Sequence, residues 1–434
     1  MKSEKTYQIT GMTQEEFRKL ETTQVLKSPD SPTGYVVSFR YKSAEYETLS
    51  VIGDWMFSDE EYSSFEDSAR YWPHQWKKGY FPHTLLGLKT TPKELKNGTK
   101  GEEIDVSKFE FDWEVLKLGM YEMEKDEETD IFSCTIPLPS GTYSYRFVVD
   151  MPDGNPLKMI TITDPSRKNY AYKGEEIQYS QIRVPFSQKY QIDNRMVELG
   201  CEQEKRGTVQ YVEYPVKAEF GVGLMQPAAV YLPKDYDENR EKPYPVLYLS
   251  HGGSESLSTW LNQGSMSQMM DSLIAGKKIE PTVVVTMDNS VYQWNHKEKN
   301  IPNLVECLMP YMEEHYHIAT EPEGRAFAGL SAGGFLAFDV FASVGYLFGN
   351  IGIWSGGRRF EADYTKPYMK EVHIHIGAGR YDDAYRAFAE PLEEELRENK
   401  IPYTIDIIPG AHQWSVWRKL LEIFLKERFK RENV

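Results

Sequence analysis

Residues 329–333 read Gly-Leu-Ser-Ala-Gly, which places one serine between two glycines in the pattern G-x-S-x-G. The apolar segment 325–328 before this motif predicts a strand, and the apolar run 335–344 after it predicts a helix. A serine at such a turn can act as a nucleophile, because the tight turn projects its hydroxyl group from the end of the sheet. We therefore predict that Ser331 is a nucleophile. We also predict that the backbone N–H of Ala332, free at the helix N-terminus, stabilises an oxyanion.

A nucleophilic serine needs a general base at the same edge of the sheet. His412 lies in the loop after a predicted strand and before the last predicted helix. Such a loop begins at the carboxyl edge of the sheet, which is also the edge where Ser331 is expected. His373 and His375 alternate within a predicted strand, a pattern that favours a role in the sheet. His412 is therefore the predicted base.

The acid that orients the base should follow the strand that ends near residue 377. Asp382 and Asp383 both stand there, and the pattern leaves the choice between them open. A second oxyanion donor is expected in the loop after the first long buried strand, 244–250. The backbone N–H groups of Gly253 and Ser254 are the candidates in that loop.

Two domains are predicted to carry these residues. Apolar strands alternate with helices over residues 206–434, which predicts a doubly wound α/β domain with a mostly parallel sheet. Residues 1–180 show short alternating strands with turn signals, which predict an all-β sandwich, interrupted by a long aromatic-rich insertion at 56–115. The polar stretch 181–205 is the predicted linker.

The α/β part resembles the esterase D-type family of α/β-hydrolases, which includes enterochelin esterases and the feruloyl and acetyl xylan esterases of carbohydrate esterase family 1. The resemblance implies an α/β-hydrolase fold with Ser331 as nucleophile, His412 as base and Asp382 as acid. Family members often have a Lys-Glu-Asp-type segment where this chain has Arg-Tyr-Asp-Asp, so Asp383 stays an alternative. The segments that carry the resemblance are 244–253, 283–285, 329–334, 377–383 and 410–418.

The β part resembles the immunoglobulin-like E-set sandwich of carbohydrate-binding-module-48-like domains. Similar domains precede the catalytic domain in enterochelin esterases and in some gut-bacterial feruloyl and acetyl xylan esterases. The resemblance therefore implies a β-sandwich placed before an esterase domain. The segments that carry it are 38–41, 53–55, 140–147 and 164–165.

The composition excludes several classes of partner. The formal net charge of −16 gives no long-range attraction to nucleic acid or to anionic membranes. The three cysteines show no metal-ligand spacing and no disulfide pattern, so we expect neither a metal nor another cofactor. No signal peptide and no membrane-spanning run is visible, which leads us to expect a cytoplasmic protein. The oligomeric state is left open, with a homodimer as one option.

Three functions compete at this stage. A serine esterase for phenolic or acetyl esters of plant-polysaccharide fragments would use aromatic walls, for which Trp260, Trp294 and Trp414 are candidates. An esterase for an enterochelin-type siderophore trilactone, which is strongly anionic, would instead use cations such as Arg358 and Arg359. The third function is a catalytically inert carbohydrate-binding protein. Both esterase hypotheses imply two-step acyl transfer to serine, followed by hydrolysis.

Overall fold

The computed structural model divides the chain into two compact units. One comprises Met1–Glu198 together with Pro409–Ser415, and the other comprises Leu199–Ile408 together with Val416–Val434. The residues that the structure describes are 6–59, 70–83, 87–88, 111–112, 117, 119–167, 169–190, 202–220, 225–289, 297–357 and 362–431.

The described residues of the first unit form mainly antiparallel strands, and they include a short α-helix, α1, at Gln14–Arg18. Its strands, in chain order, are β1 Gln24–Lys27, β2 Tyr35–Lys42, β3 Ser50–Gly53, β4 Met56–Ser58, β5 Phe81–His83, β6 Gly87–Leu88, β7 Phe111–Asp112, β8 Met120–Glu122, β9 Glu124–Asp126, β10 Ile131–Ile136, β11 Gly141–Asp150, β12 Ile160–Ile162 and β13 Ser180–Val184.

Two sheets of this unit pack against each other. One has the strand order β1-β2-β10-β9, and the other has the order β12-β11-β3-β8, with β13 also paired to β11. Phe39 on β2 meets Tyr145 on β11 edge to face, with the ring centroids 4.8 Å apart, and both side chains are fully buried. An aromatic core shared by two antiparallel sheets confirms the predicted all-β sandwich. The resemblance to an E-set domain stays a prediction.

Strand β13 corrects the start of the predicted linker. The linker was expected to begin at residue 181, but Ser180–Val184 pairs along β11 and belongs to the sandwich. Along this strand Ile182 and Val184 are buried, whereas the intervening Gln181 and Arg183 are only half-buried. The polar residues that suggested a linker therefore occupy the more exposed face of a strand.

The second unit alternates strands and helices. Its strands are β14 Thr208–Pro215, β15 Met225–Leu232, β16 Val246–Ser250, β17 Val283–Met287, β18 Arg325–Leu330, β19 Asn350–Trp354, β20 His373–Gly379 and β21 Tyr403–Ile408. Its α-helices are α2 Met266–Ala275, α3 Lys297–Asn303, α4 Met309–His315, α5 Ala332–Val344, α6 Glu390–Glu398 and α7 Trp414–Arg428. Two π-helical turns, Leu304–Leu308 and Tyr385–Ala389, directly precede α4 and α6.

One sheet organises the second unit. Its strand order is β14-β15-β17-β16-β18-β19-β20-β21. Strand β15 is antiparallel to both of its neighbours, and the strands from β17 to β21 are parallel to one another. This arrangement confirms the predicted mostly parallel α/β sheet. Because parallel strands end at the same edge, the segments after β16, β18, β20 and β21 all begin at that edge.

No helix among the described residues is both long enough and apolar enough to cross a membrane.

Candidate active site

The predicted nucleophile lies in a strained turn. Ser331 separates the end of β18 from the start of α5, with φ of 50° and ψ of −116°. A non-glycine residue in this sparsely populated region costs about 1–3 kcal/mol, so the surroundings must hold it. One contact that stabilises this conformation is the hydrogen bond from the Ser331 N–H to the carbonyl oxygen of Trp354, at 2.9 Å. The predicted strand-turn-helix context of the motif is therefore present.

Two glycines allow this turn, which we call the elbow (residues 329–334), to pack closely. A Cβ atom at Gly333 would lie 2.6 Å from the carbonyl oxygens of both Ser250 and His251. A Cβ atom at Gly334 would lie 2.5 Å from the carbonyl oxygen of Trp354. Both distances are too short for a real side chain, so only glycine fits at either position. The elbow thus packs directly on the end of β16.

The loop after β16, residues 251–255, is called the oxyanion loop here. A Cβ atom built on Gly253 would have the Cβ atom of Ala332 as its nearest neighbour, at 3.9 Å. The backbone N–H of Gly252 donates to Glu255 Oε2 at 2.7 Å and is therefore already engaged. The structure thus brings Gly253 beside Ala332. The roles of Gly253, Ser254 and Ala332 as oxyanion donors stay predictions.

The two candidate acids differ in their surroundings. Asp382 follows β20 and has 4% of its surface exposed, whereas Asp383 is half-buried in the first turn of the next helical segment. Asp382 Oδ1 accepts the backbone N–H of Ala384 at 2.9 Å, which fixes the orientation of the carboxyl group. A buried, oriented carboxylate suits the acid role better, so the geometry favours Asp382.

The predicted base follows the next strand of the sheet. His412 is exposed and lies in Pro409–Ser415, directly after β21. Strands β20 and β21 are parallel neighbours, with Gly379 opposite Ile408 at their ends. His412 and Asp382 therefore both follow the carboxyl ends of adjacent strands, as the sequence predicts. The role of His412 stays a prediction.

The other two histidines considered are sheet residues, as predicted. His375 on β20 is fully buried and lies between Trp354 and Asp406. The Trp354 indole N–H donates to His375 Nδ1 at 3.0 Å, and the opposite ring nitrogen, Nε2, lies 3.1 Å from Asp406 Oδ2. Because an indole N–H can only donate, the His375 proton must be on Nε2. His373 is on the same strand, and burial lowers its pKa to about 4.

The predicted aromatic walls need correction. Trp260 has no exposed surface, and its indole N–H donates to the carbonyl oxygen of Ser250 at 3.0 Å. It is a core residue under β16, so the prediction that it lines the substrate pocket is wrong. Trp414 has only 6% of its surface exposed, so it offers little area to a ligand. The remaining binding candidates, Trp294, Arg358 and Arg359, lie outside the described residues.

Sequence reasoning missed Asn289, a buried residue two positions after the end of β17. Its side chain donates to the carbonyl oxygen of His251 at 2.7 Å and thus holds the start of the oxyanion loop. An amide side chain after a buried parallel strand could have drawn attention to it, since that position lies at the functional edge. Across the described ranges, His, Cys, Asp and Glu side chains form no group of three or more that could hold a metal ion.

Comparison with known proteins places these residues in a family context. Residues 225–426 match the family model described as "Putative esterase". An endo-1,4-beta-xylanase/feruloyl esterase from Xylanibacter ruminicola is 29% identical over 244 residues, which cover 52% of this chain and 32% of that protein. Endo-1,4-beta-xylanase Y from Acetivibrio thermocellus is 30% identical over 231 residues, covering 45% of this chain and 21% of that protein. The chain therefore spans a third or less of the length of these relatives.

One solved structure matches nearly the whole chain in fold. It is the enterobactin esterase of Shigella flexneri, with a TM-score of 0.52 and 13% identity over 96% of this chain and 98% of that chain. Together with the order of the sheet, this likeness confirms the predicted α/β-hydrolase fold behind an all-β region. The chain therefore has an α/β-hydrolase fold, and residues 225–426 are the part that matches the family model described as "Putative esterase".

Proposed function

We propose that this protein is a serine carboxylesterase that hydrolyses phenolic or acetyl esters of plant-polysaccharide fragments. The observation that carries the proposal is the strained Ser331 at the strand-to-helix elbow, with Gly253 beside Ala332. This combination supplies a nucleophile and two backbone segments suited to an oxyanion. The substrate class is supported by the Xylanibacter ruminicola relative, which is described as a xylanase and feruloyl esterase.

The reaction would proceed in two steps. His412 Nε2 accepts the hydroxyl proton of Ser331, and Ser331 Oγ attacks the ester carbonyl carbon. The backbone N–H groups of Ala332 and of the oxyanion loop then stabilise the tetrahedral oxyanion, where each such donor is worth about 10²–10³ in kcat. The alcohol leaves with the proton from His412, and water hydrolyses the acyl-enzyme by the same route. Asp382 would hold the imidazole and stabilise its charged form.

A siderophore trilactone is the second candidate substrate. The fold likeness to the enterobactin esterase of Shigella flexneri extends over 96% of this chain, including the all-β unit. That coverage favours a trilactone over the many unrelated esters that a serine esterase can accept. The two substrates differ in charge, since an iron-loaded catecholate is strongly anionic, whereas feruloyl and acetyl esters of sugars are close to neutral.

The test is a side-by-side assay of the full chain on methyl ferulate, acetylated xylo-oligosaccharides and a tri-catechol trilactone. We expect turnover of the first or second substrate and no turnover by Ser331→Ala. Intact-mass analysis after treatment with a fluorophosphonate locates the nucleophile, because the adduct should form on Ser331 and be absent in Ser331→Ala. Preferred cleavage of the trilactone would support the second candidate. No ester hydrolysis and no adduct would refute the esterase function and leave an inert binding protein.

A further inference from the structure

We propose that Asn289 is a positioning residue, which fixes the oxyanion loop against the elbow. This inference rests on the proposed esterase function and adds a residue that the family pattern did not supply. Asn289 follows β17, and β17 is the parallel neighbour of β16, with Met287 opposite Ser250. Asn289 therefore stands next to the point where the oxyanion loop leaves the sheet.

The side-chain amide of Asn289 makes two contacts with the start of the loop. Its Nδ2 atom donates to the carbonyl oxygen of His251 at 2.7 Å and to Ser250 Oγ at 2.6 Å. A carbonyl oxygen can only accept, so the atom facing His251 must be the nitrogen, and the amide can adopt only this orientation. The exposed fraction of Asn289 is 2%, so water does not compete for these bonds.

The backbone of Asn289 makes a third contact. Its N–H donates to His251 Nε2 at 3.3 Å, while His251 Nδ1 lies 2.8 Å from the carbonyl oxygen of Gly252. Since that carbonyl cannot donate, Nδ1 is the donor of this pair, and Nε2 lies between the Asn289 N–H and Asp288 Oδ1, the latter at 3.4 Å. Asn289 thus holds both the main chain and the ring of His251 in one arrangement.

These contacts bear directly on the elbow. The carbonyl oxygens of Ser250 and His251 are the atoms that a Cβ atom at Gly333 would meet at 2.6 Å. Asn289 bonds one of those carbonyls and the hydroxyl group of the other residue. It therefore fixes the surface on which the elbow packs, and with it the distance between the oxyanion loop and Ala332.

The expected result is a defect confined to the transition state. Asn289→Ala leaves the buried carbonyl of His251 without its donor, so the loop has to move to regain a partner. The oxyanion exists only in the transition state and the tetrahedral intermediate, so kcat should fall by about 10- to 100-fold while KM stays within about threefold. The Ki of an arylboronic acid, whose adduct is tetrahedral and anionic, should rise in parallel with the loss of kcat.

Asn303→Ala is the matched control. Asn303 has 1% of its surface exposed, and its Nδ2 atom donates to Tyr214 Oη at 2.9 Å, away from the loop. This variant should lose stability while kcat is unchanged. Asn289→Asp is the second test variant, because it keeps the shape of the side chain and replaces both donor contacts. It should lower kcat by at least about 10-fold, and this result tests the positioning role even if the alanine variant does not fold.

The outcomes are distinguishable. If the wild type hydrolyses esters and Asn289→Asp keeps kcat within twofold, the positioning role is overturned and the esterase function stands. The role is also overturned if Asn303→Ala loses as much kcat as the Asn289 variants, since the loss then reflects general destabilisation. If the wild type hydrolyses no ester, the proposed function itself fails.

Discussion

Gly333→Ala is the most direct test of how the elbow is built. The new Cβ atom would lie 2.6 Å from the carbonyl oxygens of both Ser250 and His251. Carbon–oxygen contacts settle at about 3.3 Å or more, so both carbonyls would have to move by about 0.7 Å. Neither can move alone, because Ser250 pairs in the sheet and His251 is bonded to Asn289. Overpacking of this kind costs about 1–3 kcal/mol of unfolding free energy.

The same displacement should reduce activity. A shift of about 0.7 Å exceeds the tolerance of about 0.5 Å for catalytic geometry, and misplacement by about 1 Å costs about 100-fold. We therefore expect kcat on p-nitrophenyl acetate to fall by about 10- to 100-fold, with a lower urea midpoint at unchanged slope. Gly253→Ala is the folding control, because its Cβ atom would meet only Ala332 Cβ at 3.9 Å and should leave the urea midpoint unchanged. If Gly333→Ala keeps kcat within twofold and the wild-type midpoint, the close packing of the elbow on β16 is wrong.

Two further predictions concern the acid and the response to pH. Asp382→Asn should lower kcat by about three to four orders of magnitude, and Asp383→Asn should stay within about threefold. Equal losses in the two variants, measured on the same ester, would contradict the assignment of Asp382. Burial and the Arg428 guanidinium lower the pKa of His373 to about 4. The unfolded imidazole takes up a proton at about pH 6.5, so the unfolded state binds more protons between these values. The contribution of neutral His373 to the free energy of unfolding is therefore complete above about pH 6.5, and it is lost as the pH falls towards 4. His373→Gln should make the urea midpoint less dependent on pH over this range. If the midpoint varies with pH as in the wild type, the lowered pKa of His373 is contradicted.

The sequence predicts the parts of this fold that depend on local chemistry. The glycines around Ser331 are required by contacts that no side chain permits, so the motif alone indicates the elbow. The apolar strands of the second unit, such as β16, are buried on both faces, and their composition predicts a parallel sheet. The order of Ser331, Asp382 and His412 along the chain follows from the strands that precede them.

What the sequence does not predict depends on contacts between distant segments. Trp260 is of a residue type that often lines ligand pockets, but tertiary packing buries it, and its indole N–H donates to the carbonyl oxygen of Ser250. Asn289 is one polar residue among many, and its importance appears only when β17 lies beside β16. The membership of β13 in the sandwich is not evident from the sequence, because the residues of its more exposed face are polar.

The order of strands in the sheet has a consequence for amide hydrogen exchange. Strand β18 pairs on both sides, and the Ser331 N–H is itself bonded, so this segment should exchange only when the whole sheet opens. Within the described part of the chain, β21 pairs on one side only, and all six of its residues are half-buried. It should open at a lower free energy, together with the start of the segment that carries His412. Mild denaturant should then displace His412, the predicted base, while Ser331, the predicted nucleophile, is still folded in place. We therefore expect turnover to be lost at a lower urea concentration than protection of the β18 amides.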